Sequence, residues 1–303
     1  MISSDDLRFM RELASHSSLA NAARYLGVSA ASVTLRVKAL EKRLGVQLIQ
    51  RPARGLRFSE EGRLLLERAD SILNDMEELQ SLLDDRSRKV CGTLRVLAPL
   101  GFGNRYVAPL LAEFSRKHPA LRVELTLSDA PDWSTAQAWD IVIYIGELKD
   151  SSLRRILLAK NARYLCASPE YVGRMGMPLS PDELHRHHCI ALRENSEDVT
   201  LWRFTERETG KTMAKRIRPL MASNDGQVVK QWGLAGEGII VRSAWDVEHE
   251  VASGGLVKLL TQYELPDADI VALVAGERLH SSPRVDGFIT LLKERLSKRP
   301  WEK

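Results

Sequence analysis

The stretch Ser18–Leu44, SLANAARYLGVSAASVTLRVKALEKRL, decides the N-terminal fold. It holds two helical patterns around a break at Gly27-Val28. In the first, Leu19, Ala22, Ala23 and Leu26 recur at steps of three and four, which puts them on one face. Ser18 stands where an N-cap is wanted and Gly27 where a helix should stop. Ser29 then caps a second helix, with Val33, Val37, Leu40 and Leu44 on a single buried stripe. Two amphipathic helices joined by so short a turn make a helix-turn-helix, a motif that lays its second helix in the DNA major groove.

Opposite the buried stripe lie Ala31, Thr34, Leu35, Lys38 and Lys42. The first three, with Ser29 and Ala30 ahead of them, are near the helix N-terminus, where base edges are reached; the lysines suit phosphates. An outward Leu35 is odd on a solvated face but reasonable against a thymine methyl. After Gly45 comes VQLIQRPARGLRF, read as a strand-turn-strand with Pro52 and Gly55 at its tip and Arg51, Arg54 and Arg57 around it. A basic hairpin in that place reads as a wing on the DNA backbone. Residues 1–58 carry ten Lys or Arg against four acids, whereas the whole chain of 303 residues is only +4. A surplus confined to one end is the electrostatic footprint of a nucleic-acid binder. A helical hairpin in an ordinary core is the rival reading of the bare pattern, and this context argues against it.

The run SLANAARYLGVSAASVTLRVKALEKRLGVQLIQRPARGLRFSEEG resembles the LysR-type transcriptional regulators: a Ser, a small-small pair, Leu, Ser, Val, then L-E-x-x-L-G-x-x-L and an arginine-bearing wing. The likeness covers about 60 residues without a gap. Where that family often has Gln or Pro after the capping Ser, this chain has Ala30 and Ala31. Alanine cannot hydrogen-bond a base edge, so Thr34, Leu35 and Arg36 carry more of the readout, or DNA shape does.

Ser59-Glu60-Glu61 looks like an N-cap with acids in the first turn, opening a long helix to about Arg86. Within it Gly62, Leu65, Ala69, Ile72, Met76, Leu79 and Leu83 alternate steps of three and four, a coiled-coil seam expected to pair with a second copy of the chain. The resemblance agrees, since such a linker helix dimerises LysR-type proteins. After the charged stretch at residues 84–89 strands alternate with helices, as in a parallel or mixed sheet covered by helices.

Those 200 or so residues resemble the periplasmic-binding-protein-like (type 2) effector domain of the same regulators, within the branch of CrgA-type proteins. The stretches carrying this likeness are LAPLGFGNRYVAPLLAEFSRKHP, WDIVIYIGELKDSSL, YLCASPEYV, ASNDGQVVKQWGLAGEGI and SGGLVKLL. The resemblance implies an α/β chain in three parts: a winged helix-turn-helix over 1–58, a linker helix over 59–88, and a two-lobed effector domain over 92–303. Lobe I would be 92–162 plus 268–303, and lobe II 163–267.

In such a domain a ligand sits at the carboxyl ends of the strands, against helix N-termini. Leu100, Gly101, Phe102 and Gly103 offer backbone N–H groups in lobe I, and Asn224 does so in lobe II. Ser128 and Tyr144 end strands that should point into the crevice. Tyr144 replaces an Arg usual in this branch, which leaves Arg193 and Arg242 as basic candidates for a small organic effector, an organic acid by expectation.

Other chemistries have weaker footing. His185, His187, His188 and Cys189 cannot easily converge on one ion from a single short segment, so no metal is expected. Cys91, Cys166 and Cys189 are odd in number and far apart, which suits a reducing compartment. No P-loop, G-x-S-x-G or H-E-x-x-H motif is present, so no catalytic residues and no cofactor are expected. An enzyme or a solute-binding protein on the same two-lobed fold would not need the first 60 residues. The acidic start after Met1-Ile2 is unlike a signal peptide, and no apolar run nears the roughly 20 residues that span a membrane. The expectation is a cytoplasmic regulator with double-stranded DNA, a small effector, its own copies (as dimer or tetramer) and RNA polymerase as partners.

Overall fold

A computed structural model describes residues 1–50, 56–84, 90–129, 139–146, 153–193, 199–274 and 282–302. The chain divides into two compact units, Met1–Arg88 and Lys89–Lys303.

The first unit contains α1 (Ser4–Ala14), α2 (Leu19–Tyr25), α3 (Ala30–Leu44), the short strands β1 (Ile49–Gln50) and β2 (Arg57–Phe58), and α4 (Glu60–Asp84). Each of the first three helices is capped by a serine side chain: Ser3, Ser18 and Ser29 accept from the backbone N–H three residues on. Gly45 ends α3 in the left-handed conformation (φ 74°), which glycine reaches without a Cβ clash. Phe9, Met10, Leu13, Ala22, Ala23, Val33, Val37, Leu40, Leu48 and Ile49 form the core. Leu26, placed on the buried face by its spacing, is instead the exposed C-cap of α2.

The seam of α4 divides. Ala69 is fully buried with Leu73 and Leu7 of α1, and Leu65 packs beside them. These two seam residues therefore serve their own unit, because α1 needs an apolar partner along its length. Beyond them Ile72, Met76 and Leu79 are 44%, 44% and 58% exposed. The side chain of Leu83 lies outside the described residues.

The second unit opens with β3 (Gly92–Ala98), α5 (Leu100–Phe102), a π turn over Gly103–Val107, α6 (Ala108–Lys117), β4 (Leu121–Leu127), β5 (Ile141–Ile145) and β6 (Arg154–Ala159). It continues through β7 (Arg163–Ala167), α7 (Pro169–Met175), β8 (Cys189–Leu192), β9 (Leu201–Glu206), β10 (Thr212–Arg216) and β11 (Pro219–Ser223). Then come α8 (Gly226–Leu234), β12 (Ile239–Ser243), α9 (Ala244–Ala252), β13 (Val257–Lys258), β14 (Tyr263–Glu264), β15 (Ile270–Val274) and α10 (Pro283–Leu296).

Lobe I is a five-stranded sheet in the order β4-β3-β5-β15-β6, and lobe II another in the order β11-β8-β12-β7-β13. The chain passes between them twice, after β6 and before β15. In lobe I β3 is parallel to β4 and β5, while β15 runs antiparallel to β5 and β6. In lobe II β8 is parallel to β11 and β12, and β7 is antiparallel to β12. Lobe II adds an antiparallel sheet, β10-β9-β14, that the sequence pattern does not announce. Asn161 ties the two crossovers together. Its amide donates to the Ala268 carbonyl (2.9 Å) and Ser243 Oγ (3.2 Å), and its carbonyl accepts from Trp245 N (3.3 Å).

Candidate nucleic-acid interface and inter-lobe crevice

In the first unit α3 presents one long outward face. Ser29, Ala30, Ala31, Leu35, Lys38 and Lys42 are all exposed along it, and Leu35 is 67% exposed. Leaving a leucine so open in water is unfavourable, by an amount that burial against an apolar partner would recover. Thr34 donates its hydroxyl to the Ala30 carbonyl (2.9 Å), so its methyl and lone pairs remain for a neighbour. Arg36 is not part of this face. Its guanidinium lies 4.2 Å from the centre of the Phe9 ring and pairs with Asp5 Oδ2 at 2.5 Å, which turns it toward α1. Arg51 and Arg54 lie outside the described residues; Arg57 is exposed on β2.

The spacing of apolar and basic residues does not reveal the places of Tyr25 and Glu41. Tyr25 is 70% exposed at the end of α2, its ring 5.1 Å from that of His16. Glu41, the single acid between Arg24 and Phe58, accepts from Leu48 N (2.8 Å) and Ile49 N (3.1 Å). It thereby fixes the first wing strand to the end of α3. Its isolation among cations was the available signal, since an acid kept in a basic stretch usually has an internal partner.

In the second unit the crevice expected from the sequence would lie at the carboxyl ends of β3 and β4 in lobe I and of β8, β11 and β12 in lobe II. The run Pro99–Gly103 is helical rather than a loop: Pro99 is the N-cap, and the Leu100 N–H donates to Asp129 Oδ1 (3.0 Å). Gly103 N donates to the Pro99 carbonyl (2.7 Å). The Leu100 and Gly103 N–H groups are therefore engaged within the chain and are not open to an anion. Phe102 is fully buried, edge-on to Trp245 of lobe II at 5.2 Å, and lines no crevice. Gly101 allows close approach of the lobes: a Cβ there would stand 3.2 Å from Trp245 Cη2 and 3.6 Å from Gln227 Nε2. Tyr106 adds a hydrogen bond to the Trp245 carbonyl (3.2 Å).

Ser128 is half-buried, and its N–H donates to the Ala98 carbonyl. Tyr144 is buried with Leu97, Val142, Val271 and Leu273 on one face of the lobe I sheet, so it belongs to the core. Asn224 and Arg193 are exposed, and the Arg193 N–H donates to the Ser223 carbonyl (2.8 Å). Arg242 is buried directly beneath Gly226, where any Cβ would collide with its guanidinium. Both its Nε and its Nη2 reach Asp246 Oδ2 at 2.8 Å.

Asp246 is the hub of that cluster. Its Oδ1 also receives Gln227 Nε2 (2.8 Å) and Lys230 Nζ (3.1 Å), and Lys230 continues to Glu250 (3.2 Å). Burial pushes the Asp246 carboxyl up, but Arg242 and Lys230 overcome it and hold it below its ordinary value. Arg242 is therefore a neutralised member of a buried network and not a spare cation. The Asp129 carboxyl is raised, by burial first and by nearby Asp225 as well, and its Oδ2 is buried with no hydrogen bond among the described residues.

Two family descriptions match. One, the bacterial regulatory helix-turn-helix protein of the lysR family, covers residues 4–63; the other, the LysR substrate binding domain, covers residues 87–297. The chain belongs to the LysR family of transcriptional regulators. It is a DNA-binding regulator whose C-terminal domain is of the effector-binding type. Among its relatives is the HTH-type transcriptional regulator DmlR of Escherichia coli K12, 34% identical over 96% of this chain and 93% of that protein. CrgA of Neisseria meningitidis superposes with a TM-score of 0.59 at 27% identity, over 97% of this chain and 99% of that one. Full-length AphB, a Vibrio cholerae virulence activator, gives 0.62 at 25% identity over 96% and 98%. The likeness to CrgA agrees with the branch read from the sequence.

In this LysR-type chain the histidines of the His185–Cys189 segment do not converge: the His185 and His187 rings take different partners, and His188 bonds through its backbone. His185 Nδ1 meets the Asp182 carbonyl (2.5 Å), His187 Nδ1 meets Tyr171 Oη (3.2 Å), and the backbone N–H of His188 donates to the same hydroxyl (2.9 Å). Cys166 and Cys189 are buried, and burial pushes each thiol up to about 12. Both stay protonated at neutral pH, and the thiolate is the reactive form. A thiol reagent added to the folded protein is expected to modify at most one cysteine per chain, Cys91, and all three after denaturation. Rapid native labelling of two or more would contradict the burial of these strands.

Proposed function

We propose that two copies of this chain pair through the exposed Ile72, Met76 and Leu79 of α4 and present two α3 helices to successive turns of a quasi-palindromic site. The observation that carries this reading is the outward face of α3, where an exposed leucine stands among alanines and lysines at a capped N-terminus. Ser29, Ala30, Ala31, Thr34 and Leu35 face base edges; Lys38 fixes register on phosphate, with Arg51 and Arg54 of the wing doing the same from the sequence reading. The protein acts in the cytoplasm, where its DNA is, and is not an enzyme. Dimers associate further into a tetramer, and the bound complex contacts RNA polymerase.

The effector is a small organic acid held at the crevice. Arg193 and Asn224 on the lobe II rim supply its polar contacts, because Arg242 is committed to Asp246. To switch the protein it must bind one arrangement of the lobes more tightly than the other. A thermal-shift series of small carboxylates tests this: a stabilising acid should lose its effect in Arg193→Gln. The base-reading assignment is tested by Leu35→Ala, which should flatten the preference between the operator and a variant with one A·T pair replaced. Loss of a methyl contact of this kind costs about 1 kcal/mol of discrimination. An unchanged preference in a competition gel-shift would remove Leu35 from the groove.

A further inference from the structure

Two acids flank the contact between the lobes, one from each side. Asp129 follows β4 in lobe I, and its Oδ1 accepts from the Leu100 N–H (3.0 Å). Asp225 caps α8 in lobe II, and its Oδ1 accepts from the Gln227 N–H (2.8 Å). The segments they tether meet: a Cβ on Gly101, next to Leu100, would stand 3.6 Å from Nε2 of Gln227. Among the described residues neither acid forms an ion pair, unlike Asp246.

Asp129 is the less comfortable of the two. Its Oδ2 is buried and has no hydrogen bond among the described residues. Charge on an oxygen so placed is costly, and a neutral carboxyl loses far less there. The charged groups that face it are Asp225 of α8 and Arg242 of β12, and they pull in opposite directions. Arg242 has the smaller influence, since its guanidinium is held on Asp246. Burial first, and Asp225 after it, hold the Asp129 carboxyl above the ordinary carboxylate range, against the Leu100 N–H and Arg242. The folded domain thus keeps this proton to a higher pH than the unfolded chain does. The stability that belongs to the neutral form is complete below the ordinary carboxylate value and is lost as pH rises through the folded one.

We infer that Asp129 makes the seating of the two lobes depend on protons. Neutral, it lets the Gly101 end of lobe I close on Gln227 of lobe II. Ionised, it sets one carboxylate against another across the contact and loosens it. The lobes are therefore seated more firmly in mild acid than at neutral pH, whether or not an effector is bound.

The test is thermal unfolding of the full-length protein, followed by circular dichroism from about pH 4 to about pH 8, for the wild type and Asp129→Asn. Asparagine keeps the shape and an acceptor for the Leu100 N–H but carries no charge. At the alkaline end the variant should melt about 2–4 °C above the wild type, as about a tenfold preference for the neutral form is worth in a domain of this size. That gap should shrink as the pH falls and nearly close at the acid end. In an Asp225→Asn background the gain should be smaller. Hydrogen exchange, corrected for the intrinsic rate, locates the change: amides of Gly226–Leu234 should lose protection with rising pH in the wild type and not in Asp129→Asn. A wild type at least as stable as Asp129→Asn at the alkaline end would overturn the inference, and so would a gap of one size at every pH. An equal gain in the Asp225→Asn background, or protection of α8 that ignores pH, would confine the effect to lobe I and overturn the link between the lobes.

Discussion

Asp246→Asn is expected to destabilise the second unit by about 3–5 kcal/mol, the cost of leaving buried charge uncompensated. Asp246 is almost wholly buried, and so are the two cations it serves, Arg242 and Lys230. Removing the carboxylate charge leaves Lys230 with Glu250 as its one carboxylate partner among the described residues, beside the Asp246 backbone carbonyl, and takes from Arg242 the carboxylate that neutralises it. The asparagine keeps the shape and can still accept from Gln227, so the loss reports charge rather than packing. Urea unfolding followed by circular dichroism checks it. A change below about 1 kcal/mol would mean that the network is open to water, because exposed ion pairs are worth no more than that. The same variant should stiffen or loosen the crevice little at first order, since Trp245 still bridges the lobes through Phe102 and Tyr106.

Glu41→Ala should cost the first unit about 2–3 kcal/mol, because two backbone N–H groups lose a charged acceptor. Leu48 and Ile49, core residues leading into β1, then lose their hydrogen-bond tether to α3 and keep only apolar packing against it. The wing should swing, so DNA affinity should fall together with thermal stability. Glu41→Gln separates the two effects. It keeps an acceptor for one N–H and is expected to recover more than half of the lost stability. Equal behaviour of the two variants would show that the carboxylate acts on DNA by its charge and not on the wing by its hydrogen bonds.

The reading head was legible because its signals are local. Ser18, Ser29 and Gly45 are caps, and a cap declares a helix end within three residues of itself. The α3 face followed from spacing alone. Arg36 did not, because its partners Asp5 and Phe9 lie about thirty residues back, and helix geometry cannot say which exposed arginine folds down. The same distance hid the start of α5. Pro99–Gly103 reads as a small-residue loop until Asp129, from the end of the next strand, supplies the cap for Leu100.

The spacing of α4 gives one continuous seam, yet Leu65 and Ala69 pack against Leu7 of α1 while Ile72, Met76 and Leu79 stay exposed. Period fixes which side chains share a face, but not whether α1 or a second chain covers them. The β10-β9-β14 sheet stayed unread for a related reason: β14 is two residues long and pairs with β9 from far along the chain. Arg242 shows the limit for sites. Its place at a strand end marked it as a candidate cation, and only the fold revealed that Asp246, one helical turn further on, already neutralises it.

One titration tests most directly whether the face of α3 lies along a duplex. The full-length protein is added to a fluorescent fragment of its own upstream promoter at several salt concentrations, and anisotropy is recorded. Tight binding at low salt is expected, with log K falling linearly as log salt rises, as release of counterions from the phosphates requires. In Lys38→Glu that line should sit lower and slope less. Absence of binding at low ionic strength, or affinity indifferent to salt, would contradict the assignment.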